Sequence, residues 1–271
     1  GNSSTMSLEL HCAKKCKVAK KIVHTHNVRT SHQVINKLFK HYVNKNANLK
    51  FACSKEAGEF LFQKDFHIIQ NCIDTNKFKF SMEKRQELRK QYKIEDEVFL
   101  FGNVGRLNEQ KNQRFLIENF PEILKIIPNS KLMIVGMGPK KEELTALVQQ
   151  LNLKDKIIFA GFQTDISSYM SCFDLFLFPS SFEGYGMVAV EAQSTGLMCL
   201  VSNKVPSTVN VGGNCVFYEY DNQEDFLDQL EKTYTKDLNR EENRLKCLES
   251  FEKNDFALEK NVLNLENLYL S

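Results

Sequence analysis

From about residue 98 onward, short apolar runs alternate with stretches whose apolar positions recur at helical spacing. The runs over 98–104, 131–135, 156–160, 175–178, 198–201 and 215–218 are bounded by loop residues and predict strands. The helical spacing predicts helices over 112–127, 140–151, 166–172 and 188–195. Pro121 falls inside the first of these and is expected to kink or divide it. Strand-helix alternation with strands apolar on both faces implies a parallel, doubly wound α/β sheet. The earlier segment carries the same rhythm in shorter form, with strands over 21–25, 49–54 and 66–69 and helices over 31–43, 55–62 and 81–93. Three strands make a poor sheet by themselves. The chain is therefore expected to start inside a domain, with residues 1–5 reading as a frayed end or a cloning remnant.

Composition narrows the class. The chain has 271 residues, 42% hydrophobic and 26% charged, with 21 Phe, which is enough apolar surface for a core and excludes global disorder. Lys+Arg 36 against Asp+Glu 34 leaves a net charge of +2, so the chain as a whole has no electrostatic reason to seek nucleic acid. No apolar run reaches the roughly 18–20 residues that span a bilayer, and no secretory signal opens the sequence. A cytoplasmic location is expected. The eight cysteines include no CxxC pair and mostly sit in apolar stretches, as reduced core residues do. Two segments of different character meet near 90–97: all six histidines precede residue 70, and all five prolines follow residue 120.

Three motifs could carry chemistry. Gly105, Arg106 and Lys111 follow a predicted strand and lead into a helix, at the carboxyl edge where open α/β sheets bind ligands. Two cations beside a helix N-terminus suit a diphosphate, although surface cations on a solvated loop would read the same way. Gly136 and Gly138, with Pro139 fitting the first turn of the next helix, form a second strand-to-helix turn. GxGxxG fails there because Lys141 stands at the third glycine position, which disfavours a nicotinamide dinucleotide. The third motif runs from Glu183 through Gly184, Tyr185, Gly186, Met187 and Val188 to Glu191. Its glycines let a ligand approach the backbone, and the amides of residues 185–188 form an anion nest. Glu191, about one turn into the helix, can accept from both hydroxyls of a vicinal diol such as ribose. Glu183, on the loop before it, would face the reactive end of the same ligand.

These residues resemble the family 4 retaining glycosyltransferases, which have the two-lobed GT-B fold. Glu183 and Glu191 stand in that family's E-x7-E pattern; Gly105, Arg106, Lys111, Gly136, Gly138 and the run Phe159-Ala160-Gly161-Phe162 precede it in the family's order. The stretch from Phe51 to Ala57, then Asn71-Cys72-Ile73-Asp74, is most similar to the capsular and exopolysaccharide branch. Cys72 departs from the glycine usual there, Tyr185-Gly186 from a frequent Leu-Pro, and Met198 from a frequent Pro.

The resemblance implies a partial N-terminal, acceptor-side lobe over 1–95 and a C-terminal donor lobe over 96–271 whose last helix packs back on the first. It implies a nucleotide-diphosphate sugar donor, a UDP-sugar by preference, and a saccharide or lipid-linked acceptor met at the inner face of the plasma membrane. Arg106 and Lys111 would bind the diphosphate, Glu191 the ribose, backbone near Phe162 the base, and residues 184–188 the pyrophosphate and sugar. Glu183 would hold sugar hydroxyls. No metal or other cofactor is implied, because cations and helix dipoles replace Mg²⁺. His24 and His26 share one strand face, and the family's strand-closing histidine, which His26 matches better, reaches the donor sugar. Lys14, Lys15, Lys17, Lys20 and Lys21 with Leu8, Leu10, Ala13 and Val18 could form a basic amphipathic helix on anionic lipid, or a solvated helix face. A non-catalytic donor-binding module is the main alternative to an enzyme; a hydrolase or epimerase on the same fold comes next.

Overall fold

The computed structural model describes residues 3–26, 33–69, 71–235, 239–253, 256 and 258–270. The chain divides into two compact units, Gly1–Cys72 with Leu258–Ser271, and Ile73–Ala257. Both are α/β with parallel strands and alternating helices.

The first unit contains α1 (Ser3–Lys15), β1 (Ile22–Thr25), α2 (Gln33–Asn46), β2 (Leu49–Ala52), α3 (Lys55–Leu61), β3 (His67–Ile68) and α11 (Leu258–Leu270). Its sheet runs β1-β2-β3, and Met6, Leu10, Val23, Val43, Ala52 and Leu61 form the core between sheet and helices. Strand β2 stops two residues short of its expected end because Ser54 becomes the N-cap of α3, its hydroxyl accepting from Ala57 N at 3.2 Å. Positions 31 and 32 of the expected second helix, His32 among them, lie outside the described residues. The basic helix is shorter than expected. It ends at Lys15, and Lys17 turns left-handed at φ 55. Lys20 and Lys21 instead donate to Tyr269 O at 2.7 Å and Val18 O at 3.0 Å, so the five lysines share no helical face.

The second unit holds α4 (Met82–Gln91), β4 (Phe99–Val104), α5 (Gln113–Ile126), β5 (Ser130–Val135), α6 (Lys141–Gln150), β6 (Ile157–Gly161), α7 (Ile166–Cys172), β7 (Leu175–Phe178), α8 (Met187–Ser194), β8 (Cys199–Ser202), β9 (Cys215–Tyr218), α9 (Gln223–Tyr234) and α10 (Arg240–Lys253). The six strands are parallel in the order β6-β5-β4-β7-β8-β9. Alternate residues of one strand feed opposite faces: Leu175 and Leu177 join one apolar cluster, Phe176 and Phe178 the other. That is why β7 is buried at every position. Pro121 does not divide α5, which runs unbroken past it with Phe115, Leu116, Phe120 and Ile123 turned into the core; burial of that face outweighs one lost backbone bond.

The connections from β4 lead outward through β5 to β6, and the chain then returns to place β7 on the other side of β4. The sheet therefore has its topological switch point between β4 and β7, and ligands of open α/β sheets bind at the carboxyl ends of the strands beside such a point. The motifs around Arg106 and Glu183 follow those two strands.

Candidate functional site

The loop after β4 is built by a side-chain turn. Lys111 N donates to Asn108 Oδ1 at 3.0 Å, and Asn112 adopts φ 49 before α5 begins. Arg106 is exposed on this loop and makes no ion pair among the described residues. Lys111 Nζ lies 2.7 Å from Glu183 Oε1 and 4.9 Å from the centre of the Phe178 ring. The two side chains of that ion pair are only 18% and 10% exposed, so the pair is shielded from solvent and from salt.

Gly136 and Gly138 serve the packing of one loop on another. Leu107 N donates to Met137 O at 3.0 Å and Lys140 N to Leu107 O at 3.1 Å. A Cβ on Gly136, at φ +140, would collide with Gly105 O, and one on Gly138 with Leu107 O. The loop that carries Arg106 therefore rests directly on these two glycines. Pro139 is not in the first turn of α6; the helix begins at Lys141 with Lys140 as its N-cap, and Pro139 belongs to the turn before. Beyond β5 and β6, Met137 and Phe162 are 63% and 69% exposed, on either side of the Gly136 N to Gly161 O bond of 2.7 Å.

The loop after β7 is tied to the loop after β4. Ser181 N donates to Gln110 O at 2.8 Å, and Gln110 Nε2 donates to Phe182 O at 2.9 Å. Gly186 precedes α8 at φ 96, a left-handed turn open to glycine. The first amides of α8, at Met187 and Val188, have no partner within the helix and carry its positive dipole end. Tyr185 turns away, its hydroxyl donating to Thr208 O at 3.0 Å. Glu183 does not cap α8; its carboxylate is committed to Lys111.

Glu191 is the fifth residue of α8. Burial pushes its carboxyl up to about 7, and the charges of Lys77 and then Lys111 pull it partly back. Lys77 is held in this region by Ser167 Oγ, which donates to Lys77 O at 2.6 Å, and by Ser194 Oγ of α8, which donates to Phe78 O at 2.9 Å. A folded-state value above the ordinary 4.5 means that the native chain holds more protons than the unfolded one between about pH 4.5 and 7. The contribution of Glu191 to stability should accordingly fall as pH rises through that window and level off above it. Glu191→Gln should flatten this decline when urea midpoints are compared at pH 5 and pH 8; an unchanged slope would show that Glu191 titrates normally.

In the first unit, the His24 and His26 rings lie 4.4 Å apart, as alternation along one strand requires. Burial and the neighbouring His26 lower His24 to about 4; burial also lowers His26. His24 is thus neutral at pH 7, and its buried Nε2 has no partner among the described residues, while His26 is exposed. Among the described residues no group of three or more His, Cys, Asp or Glu could hold a metal ion.

The second unit brings together Gly105, Arg106, Lys111, Gly136, Gly138 and the run 183–191 along one edge of its sheet. Two residues of this edge escape a reading of the sequence. Gln110 is one of several polar residues in its loop, and only folding shows that its amide reaches Phe182. Lys77 lies more than a hundred residues from Glu191 and carries no motif of its own.

The family model for glycosyl transferases, group 1, matches residues 84–249. The chain is 36% identical over 152 residues to the Escherichia coli UDP-Gal:alpha-D-GlcNAc-diphosphoundecaprenol alpha-1,3-galactosyltransferase, covering 55% of this chain and 38% of that one. It is 28% identical over 207 residues to the Escherichia coli O-antigen biosynthesis glycosyltransferase WclY, covering 75% and 55%. The chain thus spans about half, or less, of the length of these relatives. Among solved structures, Anabaena HepE (Alr3699) in complex with UDP-glucose superposes with a TM-score of 0.82 at 21% identity, over 99% of this chain and 77% of that one. No helix among the described residues is long and apolar enough to cross a membrane.

Proposed function

The chain belongs to the group 1 glycosyl transferases, and from that premise we propose that its second unit binds a UDP-sugar for transfer, with retention, to a saccharide or lipid-linked acceptor. The observation that carries this reading is the pairing of Lys111 with Glu183 across the switch point, beside Arg106 and the α8 N-terminus. That arrangement puts two cations and a positive helix end where a diphosphate would lie, with one carboxylate on either side of it. Arg106 and Lys111 neutralise the charge that grows on the leaving diphosphate, and the α8 amides add fixed dipoles. Glu191 accepts from the ribose hydroxyls and Glu183 from those of the sugar. The bond from the anomeric carbon to the phosphate oxygen breaks, the acceptor oxygen takes its place on the same face, and the acceptor proton passes to the departing phosphate. The countercharge comes from side chains, so no divalent metal is needed.

The uracil base and the lipid-linked acceptor are supported by the UDP-Gal and diphosphoundecaprenol in the name of the Escherichia coli relative and by the UDP-glucose held by HepE. Membership of the family 4 capsular branch rests on the motifs quoted above.

A thermal-shift panel of UDP, GDP and ADP, with and without EDTA, tests the proposal. UDP should raise the melting temperature most, and equally in EDTA. Stabilisation that appeared only with Mg²⁺ or Mn²⁺ would refute the metal-free site, and a preference for GDP would refute the base.

A further inference from the structure

The loops after β4 and β7 are joined by two successive rungs. In the first, Gln110 Nε2 donates to Phe182 O at 2.9 Å, while Gln110 O accepts from Ser181 N at 2.8 Å and from Ser181 Oγ at 3.2 Å. In the second, one residue further along both loops, Lys111 Nζ meets Glu183 Oε1 at 2.7 Å. The rungs differ in kind. An amide-to-carbonyl bond weakens steeply with distance and angle, whereas an ammonium on a flexible four-carbon stem tolerates many geometries. The first rung therefore fixes the spacing of the loops, with the Gln110 amide as its contact nearest the Glu183 carboxylate, and the ion pair follows it.

We propose that Gln110 is a positioning residue of this site. Its side-chain amide holds the Glu183 loop against the Lys111 loop, so that the carboxylate competes with a diphosphate for the same ammonium. The inference rests on reading the site as a diphosphate site. It makes Lys111 a shared group: paired with Glu183 until a phosphate oxygen draws it off, which releases Glu183 to the sugar hydroxyls. Binding of the nucleotide and preparation of the sugar-end carboxylate are then one event, set by the Gln110 tie.

The competition is measurable with UDP as the probe, by calorimetry on the full chain carrying Glu183→Gln, Gln110→Met, or both. Glu183→Gln should tighten UDP about tenfold in the wild-type background, because it ends the competition for an ammonium in a shielded ion pair. With Gln110→Met the same substitution should gain less than threefold. A purely structural role for Gln110 would lower every melting temperature and leave the tenfold gain intact, and a gain equal within a factor of two in both backgrounds overturns the proposal. A second readout needs no nucleotide. The Lys111 ammonium protons, shielded and paired, should exchange slowly enough for detection by NMR in the wild type and vanish in Gln110→Met; their persistence also overturns the proposal. Failure of UDP to bind the wild type, with the NMR result as expected, would count against the donor reading alone. If neither Gln110→Met nor Gln110→Ala folds, Gln110 is structural and the positioning role is wrong.

Discussion

Asp174→Ala should cost the second unit about 3–5 kcal/mol of stability, the effect of removing one partner from a buried ion pair. Asp174 precedes β7 and accepts from three directions: Arg85 Nη2 at 2.6 Å, Leu100 N at 2.7 Å and Arg89 Nη1 at 3.4 Å. The Arg89 side chain is 2% exposed, so it cannot recover water when its carboxylate is lost. Its Nη2 donates instead to Glu95 O at 2.8 Å and Val98 O at 2.5 Å, which holds the turn between α4 and β4. Asp174 thereby fixes α4 to the sheet edge opposite the site. Asp174→Asn keeps an acceptor for Leu100 N and Arg89 but loses the charge and turns the oxygen that accepts from Arg85 into an NH2 donor, so it should recover only part of the alanine's cost. Urea unfolding would check both, and a loss below about 1 kcal/mol for the alanine, as for an exposed pair, would show that the arginines find water.

Gly136→Ala should be nearly as damaging, and it should also reach the ligand. At φ +140 the backbone of Gly136 is almost closed to other residues, and an added Cβ would drive into Gly105 O. Strain of about 1–3 kcal/mol for the backbone and a similar cost for the overlap give a loss of roughly 2–6 kcal/mol. The displaced loop carries Arg106, so UDP should weaken in whatever fraction remains folded. Gly213→Ala is the control. Gly213 has φ +77, but a Cβ there meets nothing within 4 Å, which leaves the backbone cost alone. Equal losses for the two substitutions would mean that the loop yields at Gly136.

The parallel sheet of the second unit is legible in the sequence because its strands are apolar at nearly every position and its helices are amphipathic, as β7 and α5 show. Where the reading missed, a local rule lost to tertiary packing. Pro121 argues for a broken helix, yet the apolar face on both sides of it holds α5 together. Ser54 reads as the end of a strand until its hydroxyl is seen capping α3. The lysines after α1 read as one amphipathic stripe, but a left-handed residue at Lys17 ends the helix first. The motif residues of the candidate site were visible because glycine, arginine and glutamate at fixed spacing mark loops at strand ends. The pairing of Lys111 with Glu183 was not visible. It joins residues 72 positions apart across β4 and β7, and nothing local specifies which strands are neighbours.

Calorimetric titration of UDP and of uridine in EDTA, on the wild type and on Arg106→Ala and Lys111→Ala, tests the diphosphate assignment most directly. On that assignment, each substitution would remove a charge-assisted contact to phosphate and none to the nucleoside. UDP should weaken by about 1.5–3 kcal/mol for each, roughly ten- to 150-fold, while uridine stays within a factor of two. Equal losses for UDP and uridine, or none for either, would contradict the assignment of Arg106 and Lys111 to the diphosphate.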